Sequence, residues 1–121
     1  MIKYGVVICA FAFANFAFAA APFIPKLFQG TWTESAPTKE NCEGGPESSA
    51  LFITKDEILA GESGCKIIRV TNEGAGVKVI SKCSAEGEYY DDIVTLNILD
   101  GKLKAHNQNW HKKTQLLNKC K

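Results

Sequence analysis

What this chain lacks first is helical periodicity. No window of useful length carries an apolar stripe recurring every 3.6 residues, so helix is at most a minor component. Beyond residue 19 there are no internal repeats and no low-complexity tracts. The longest uninterrupted apolar run, Gly5 to Ala14, stops at Asn15, short of the roughly 18 residues that a membrane-spanning helix needs. Signatures of catalysis and nucleotide binding are missing as well: there is no Gly-x-Ser-x-Gly elbow, no P-loop and no His-Glu-x-x-His helix. Histidine is scarce, and neither His106 nor His111 has a Ser or Cys nucleophile nearby in sequence. The cysteines from Cys42 onward are separated by 22, 17 and 36 residues, which is not the close spacing of a zinc site.

The amino end, by contrast, is rich in one feature. Met1 and the basic Lys3 precede the apolar run, and Ala17-Phe18-Ala19 has the small-x-small form that signal peptidase accepts. Residues 1–19 therefore read as a secretory signal peptide cleaved after Ala19, since a cut after Ala21 would place Pro22 directly beyond it. Cys9 has no Leu-x-x-Cys lipobox around it and leaves with the signal. The remainder is expected to be an extended leader over 20–28 and a single domain over 29–121, with no transmembrane segment.

Cys42, Cys65, Cys83 and Cys120 remain. An even count in a small exported domain implies two disulfides, each contributing about 2–4 kcal/mol. Four cysteines allow three pairings. The favoured one joins Cys42 to Cys65 and Cys83 to Cys120, stapling a loop and the chain end to the sheet. Its rival joins Cys65 to Cys83 across a hairpin and Cys42 to Cys120. Oxidised cysteines offer no thiolate, so Cys/His catalysis is not expected.

Without Lys3 the chain carries 13 basic and 13 acidic side chains. Acidic residues predominate from Glu34 to Glu62, and every charged side chain after Asp100 other than histidine is a lysine. Those lysines read as the outer faces of edge strands, where they discourage pairing between molecules. Nucleic acid is not an expected partner.

Strand signals fill the rest. Gly30-Thr31-Trp32-Thr33 suits a first strand with Trp32 facing the core. Residues 36–49 form a loop on turn chemistry, with Pro37, Asn41, Gly44, Gly45 and Pro46. Leu51, Ile53, Ile58 and Leu59 frame a hairpin around Lys55-Asp56-Glu57, and 61–64 is a further turn. A hairpin symmetric about Gly74 would set Cys65 opposite Cys83, Ile67 opposite Ser81 and Thr71 opposite Val77. Asp100-Gly101 is a type I′ pair, which pairs Leu99 with Lys102, Ile98 with Leu103 and Leu96 with Ala105. Trp110, Leu116 and Leu117 support a last strand ending at Cys120. Short strands with a turn every 8 to 12 residues predict an all-β domain, a small antiparallel β-barrel or strongly curled sheet with two disulfides.

The densest chemistry lies in "CSAEGEYYDD", residues 83–92. As a glycosidase pair, Glu86 and Glu88 would need a cleft separating them by about 5 to 9.5 Å. As a calcium loop, Asp91 and Asp92 fail because neighbours on a strand point to opposite faces. The stronger readings are a bend at Gly87 with one tyrosine packed inward, and a contact surface built from Glu86, Glu88, Tyr89 and Tyr90. Lys104 and His106 form a second candidate patch. No metal and no cofactor are expected.

Taken together, Gly30-Thr31-Trp32, "GESGCKI" at 61–67, "CSAEGEYYDDIVTL" at 83–96 and the terminal Lys119-Cys120 resemble a group of small exported proteins of alphaproteobacteria. That group carries Gly-x-Trp, Cys-x-Ile, Cys-x-Gly-Glu-Gly-Glu and a final Arg/Lys-Cys in this order. Here Ala85 stands in place of the first glycine of the third motif. The resemblance spans most of residues 28–120 and implies a periplasmic address and a disulfide-pinned β domain. More distantly, Gly-x-Trp on a first strand resembles lipocalin-type barrels, among them periplasmic inhibitors of proteases and lysozymes. The expected function is binding, as a periplasmic hydrolase inhibitor or an envelope accessory protein with a protein partner in the cell envelope. A small-ligand carrier with a lipocalin-like cavity and a carboxylate-based hydrolase are the alternatives, and an enzyme is not expected.

Overall fold

The computed structural model describes residues 23–43 and 50–121. The expected signal peptide, residues 1–19, lies outside them. Eight strands run in chain order, each antiparallel to the next: β1 Gly30–Thr33, β2 Leu51–Ile53, β3 Glu57–Ala60, β4 Ser63–Glu73, β5 Gly76–Ala85, β6 Glu88–Leu99, β7 Lys102–His106 and β8 Thr114–Lys119. Pairing of Trp32 with Lys119 and Thr33 with Asn118 joins β1 to β8 and closes a barrel. The expected all-β barrel with two disulfides is therefore what the chain forms.

Local turn chemistry sets much of the register. Asp100 and Gly101 both take positive φ, 52° and 79°, as a type I′ turn requires. Leu99 then opposes Lys102, Ile98 opposes Leu103 and Leu96 opposes Ala105. Alternation does the rest: Leu96, Leu103 and Ala105 are buried, while Lys102 and Lys104 face solvent.

The β4–β5 hairpin departs from its expected symmetry. Cys65 opposes Cys83 and Ile67 opposes Ser81 as anticipated, but Thr71 opposes Lys78 and not Val77. The hairpin closes on the two-residue turn Gly74-Ala75, and β4 absorbs the extra residue in a bulge between Ile67 and Arg69. Below the bulge Val70 points inward with Val77 and Val79. At Gly76 the β6 backbone comes so close that an added Cβ would run into the Leu96 carbonyl, so only glycine fits there.

One end of the barrel, the lower, carries the β2–β3, β4–β5 and β6–β7 turns. The upper end carries the β3–β4 and β5–β6 turns and the β7–β8 loop. Residues 23–28 close the lower end. Lys26–Phe28 form a 3₁₀ turn where an extended leader was expected, and Ile24 and Phe28 are buried in the core. The Ile24 amide donates to the Lys55 carbonyl at 2.7 Å, and the Trp32 indole donates to the Phe28 carbonyl at 3.0 Å. The plug thus supplies the partner that a buried tryptophan N–H needs.

The disulfides are Cys65–Cys83 and Cys42–Cys120. This corrects the favoured pairing of Cys42 with Cys65 and Cys83 with Cys120. The ladder holds Cys65 and Cys83 opposite each other, with their Cα atoms 3.9 Å apart. Cys120 continues β8 past Lys119 and donates its amide to the Thr31 carbonyl. Cys42 reaches it from α1, Lys39–Cys42, one helical turn in a segment expected to be loop. Thr38 caps that turn by accepting the Asn41 amide.

Candidate functional site

The β5–β6 hairpin owes its tip to two residues. Ala85 pairs with Glu88, which leaves Glu86 and Gly87 as a two-residue turn with φ of 51° and 84°. No atom lies within 4 Å of a Cβ built on Gly87, so the glycine serves the positive φ and not a crowded space. Ala85, which stands where the resembling group has glycine, is an ordinary strand residue.

Beyond the turn the strand sorts its side chains by parity. Tyr89, Asp91 and Ile93 face outward. Tyr89 is 80% exposed, and Asp91 meets Lys82 at 3.6 Å. Outward rows run across the sheet: Leu59, Gly64, Ser84 and Tyr89 form the uppermost, then Glu57, Lys66, Lys82 and Asp91. In the upper row two small residues separate two exposed apolar ones, giving a shallow strip roughly 14 Å long at the usual strand spacing. Glu86 and Glu88 flank it at the tip and are exposed.

Tyr90 and Asp92 face the other way, into the barrel mouth beside Ser81, Asn107, Trp110 and the Cys65–Cys83 disulfide. The cavity there is about 40 Å³, enough for a water or two. Asp92 anchors the β7–β8 loop: its carboxylate accepts Nδ2 of Asn107 at 2.7 Å and Nδ2 of Asn109 at 3.1 Å. It also accepts the Ile93 amide at 3.1 Å. A carboxylate oxygen of Asp92 and the Sγ atoms of Cys65 and Cys83 lie within 4.8 Å of one another, but sulfurs joined to each other are not thiolate ligands.

β6 outruns its neighbour. β7 pairs with β6 only from Thr95 to Leu99, then turns off at Asn107. Residues 88–94 have β5 on one side and, on the other, a groove of about 360 Å³ lined by Asp91, Ile93, His106 and Gln108 among others. His106 is held at both ring nitrogens, Nδ1 by Thr114 Oγ1 at 2.7 Å and Nε2 by the Gln108 amide at 3.0 Å. Lys104 lies further down the same face, opposite Asn97 and Leu116.

The structure thus brings Glu86, Glu88 and Tyr89 together, turns Tyr90 into the mouth, and leads from Asp91 along a groove to His106. Lys104 borders the next depression and stands apart from the tip. Glu86 and Glu88 stand on an exposed turn, not on opposite walls of a cleft. Sequence reading missed the Asp92, Asn107 and Asn109 cluster and the groove itself. The amide-rich "HNQNW" at 106–110 was the available signal, since such side chains tie loops to neighbouring strands.

No helix among the described residues is long and apolar enough to cross a membrane. No family model, curated protein or solved structure matches the chain.

Proposed function

We propose that this chain is an exported binding protein that engages a protein partner of the cell envelope through the β5–β6 tip, in the manner of a hydrolase inhibitor or an envelope accessory protein. The single observation that carries this reading is Tyr89. A tyrosine 80% exposed on a strand held by backbone pairing, just past the turn and beside Glu86 and Glu88, is a preorganised aromatic anchor. Tyrosine on a rigid element contributes contact area with little side-chain entropy to lose, and such residues dominate binding energies. Two disulfides suit an oxidising compartment and hold the scaffold beneath the tip. The interior supports the same choice over a small-ligand carrier. Trp32, Leu96, Leu103 and Leu117 fill it, leaving a cavity of about 40 Å³ beside Tyr90, far below the roughly 300 Å³ of ligand pockets. The larger hollows, about 360 Å³ beside His106 and about 530 Å³ beside Trp110, are open to solvent.

Site-specific photocrosslinking in the cell envelope tests the proposal. A photoreactive residue at position 89 is expected to give a discrete adduct, and one at Leu99, at the opposite end of the barrel, none. Identical adducts from both positions, or none from position 89, would remove the tip as the contact surface.

A further inference from the structure

We infer that the open upper edge of β6 binds an extended, lysine- or arginine-bearing segment of the partner by strand addition, with Tyr89 and Asp91 supplying the backbone contacts. This rests on the tip being the contact surface and specifies how the partner is held.

The geometry follows from the ladder. In a two-residue hairpin the residues flanking the turn exchange both backbone hydrogen bonds, and the bonded pairs then alternate. On the β5 side the bonded β6 residues are therefore Glu88, Tyr90, Asp92 and Val94. On the β7 side they are Leu99, Asn97 and Thr95, each with a β7 partner. Continuing that series upward gives Ile93, Asp91 and Tyr89, where β7 has already turned away. The Ile93 amide is taken by the Asp92 carboxylate, which ends the series from below. By this alternation the N–H and C=O groups of Asp91 point into the groove and those of Tyr89 lie on the same unpaired edge above it, a four-bond register for a short strand collinear with β7.

Charge selects the occupant. Glu86, Glu88 and Asp91 lie along the upper part of this edge, and among them only Asp91 has a cation, Lys82, within ion-pair distance; Lys78 lines the groove lower down, beside Thr95. A second copy pairing its own β6 edge here would set acidic residues against acidic ones, which is unfavourable for directly opposed strand residues. A basic extended segment satisfies both features: its backbone completes the ladder, and its side chains reach Asp91 on the outer face and Glu88 on the opposite, mouth-side face. Tyr89 then covers the added strand from the outer face.

The test uses the full oxidised chain and an eight-residue peptide in which lysine alternates with valine and threonine. Two control peptides replace lysine by glutamate, or carry N-methyl groups on alternate backbone amides. The lysine peptide is expected to bind and to slow amide hydrogen exchange at Tyr89 and Asp91. N-methylation and the glutamate exchange are each expected to weaken binding about tenfold or more, the effect of losing one or two hydrogen bonds or the ion pairs. Asp91→Pro removes an amide that faces the groove, a position where edge strands accept proline, and is expected to weaken binding similarly. Binding indifferent to N-methylation, exchange unchanged at the two amides, or no binding would overturn the inference. An adduct from position 89 that persists in Asp91→Pro would keep the tip as contact surface while excluding strand addition; loss of the position-89 adduct in the unmodified background would exclude both.

Discussion

The Lys119 ammonium stands 5.2 Å from the centre of the Trp32 ring and donates to the Gln29 carbonyl at 3.3 Å. Trp32 and Lys119 are cross-strand partners at the seam that closes the barrel. Gly30 belongs to the same contact: its φ is 133°, and a Cβ there would meet Lys119 Cε at 3.2 Å. The Gly-x-Trp at one end of the chain and the Lys-Cys at the other are thus two halves of one closure.

Lys119→Met keeps the aliphatic cover and removes the charge, so it is expected to lower stability by about 0.5–1 kcal/mol in urea unfolding. Gly30→Ala combines an unfavourable backbone angle with crowding and is expected to lose about 1–3 kcal/mol. Equal stability of Gly30→Ala and the wild type would show that the seam tolerates a side chain.

The two disulfides close loops of different size, 78 residues for Cys42–Cys120 and 18 for Cys65–Cys83. The chain-entropy model assigns them about 4.5 and about 3 kcal/mol. Replacing Cys42 and Cys120 by alanine is therefore expected to shift the denaturation midpoint further than replacing Cys65 and Cys83. The reverse order would indicate that packing of the buried Cys83, not chain entropy, dominates.

Asp92 is expected to matter for the β7–β8 loop. Asn107 is 1% exposed, and Asp92→Ala leaves its Nδ2 without an acceptor. A loss of about 1–3 kcal/mol should follow, with faster hydrogen exchange at the Asn109 amide, which Asn107 Oδ1 accepts at 2.8 Å. Unchanged exchange there would mean the loop is held by other contacts.

At the tip, stability and binding are expected to move in opposite directions. Glu86 adopts a φ of 51°, where asparagine or glycine is preferred in a type I′ turn. Glu86→Asn is expected to raise stability by about 0.5 kcal/mol while weakening capture of the lysine peptide, because it removes a carboxylate from the edge. A gain in both would indicate that Glu86 takes no part in recognition.

Much of this molecule was written locally. Asp100-Gly101 and the alternation around it set the β6–β7 register, because a two-residue turn dictates which residues face each other. In the β4–β5 hairpin the Gly74-Ala75 turn alone would set Cys65 opposite Ser84, and the bulge between Ile67 and Arg69 brings it opposite Cys83. The candidate residues of the tip were legible locally too, as a run of carboxylates and tyrosines about a glycine. What the sequence could not decide depends on strands far apart in the chain. Pairing of β1 with β8 brings Cys120 to Cys42 and Lys119 to Trp32, and it turns residues 23–28 into a plug. The unequal lengths of β6 and β7 open the edge at Tyr89 and Asp91, a mismatch that exists only once the sheet has curled and closed. Local torsions fix who sits opposite whom within a hairpin; closure, which brings together residues more than eighty positions apart, fixes what is left exposed.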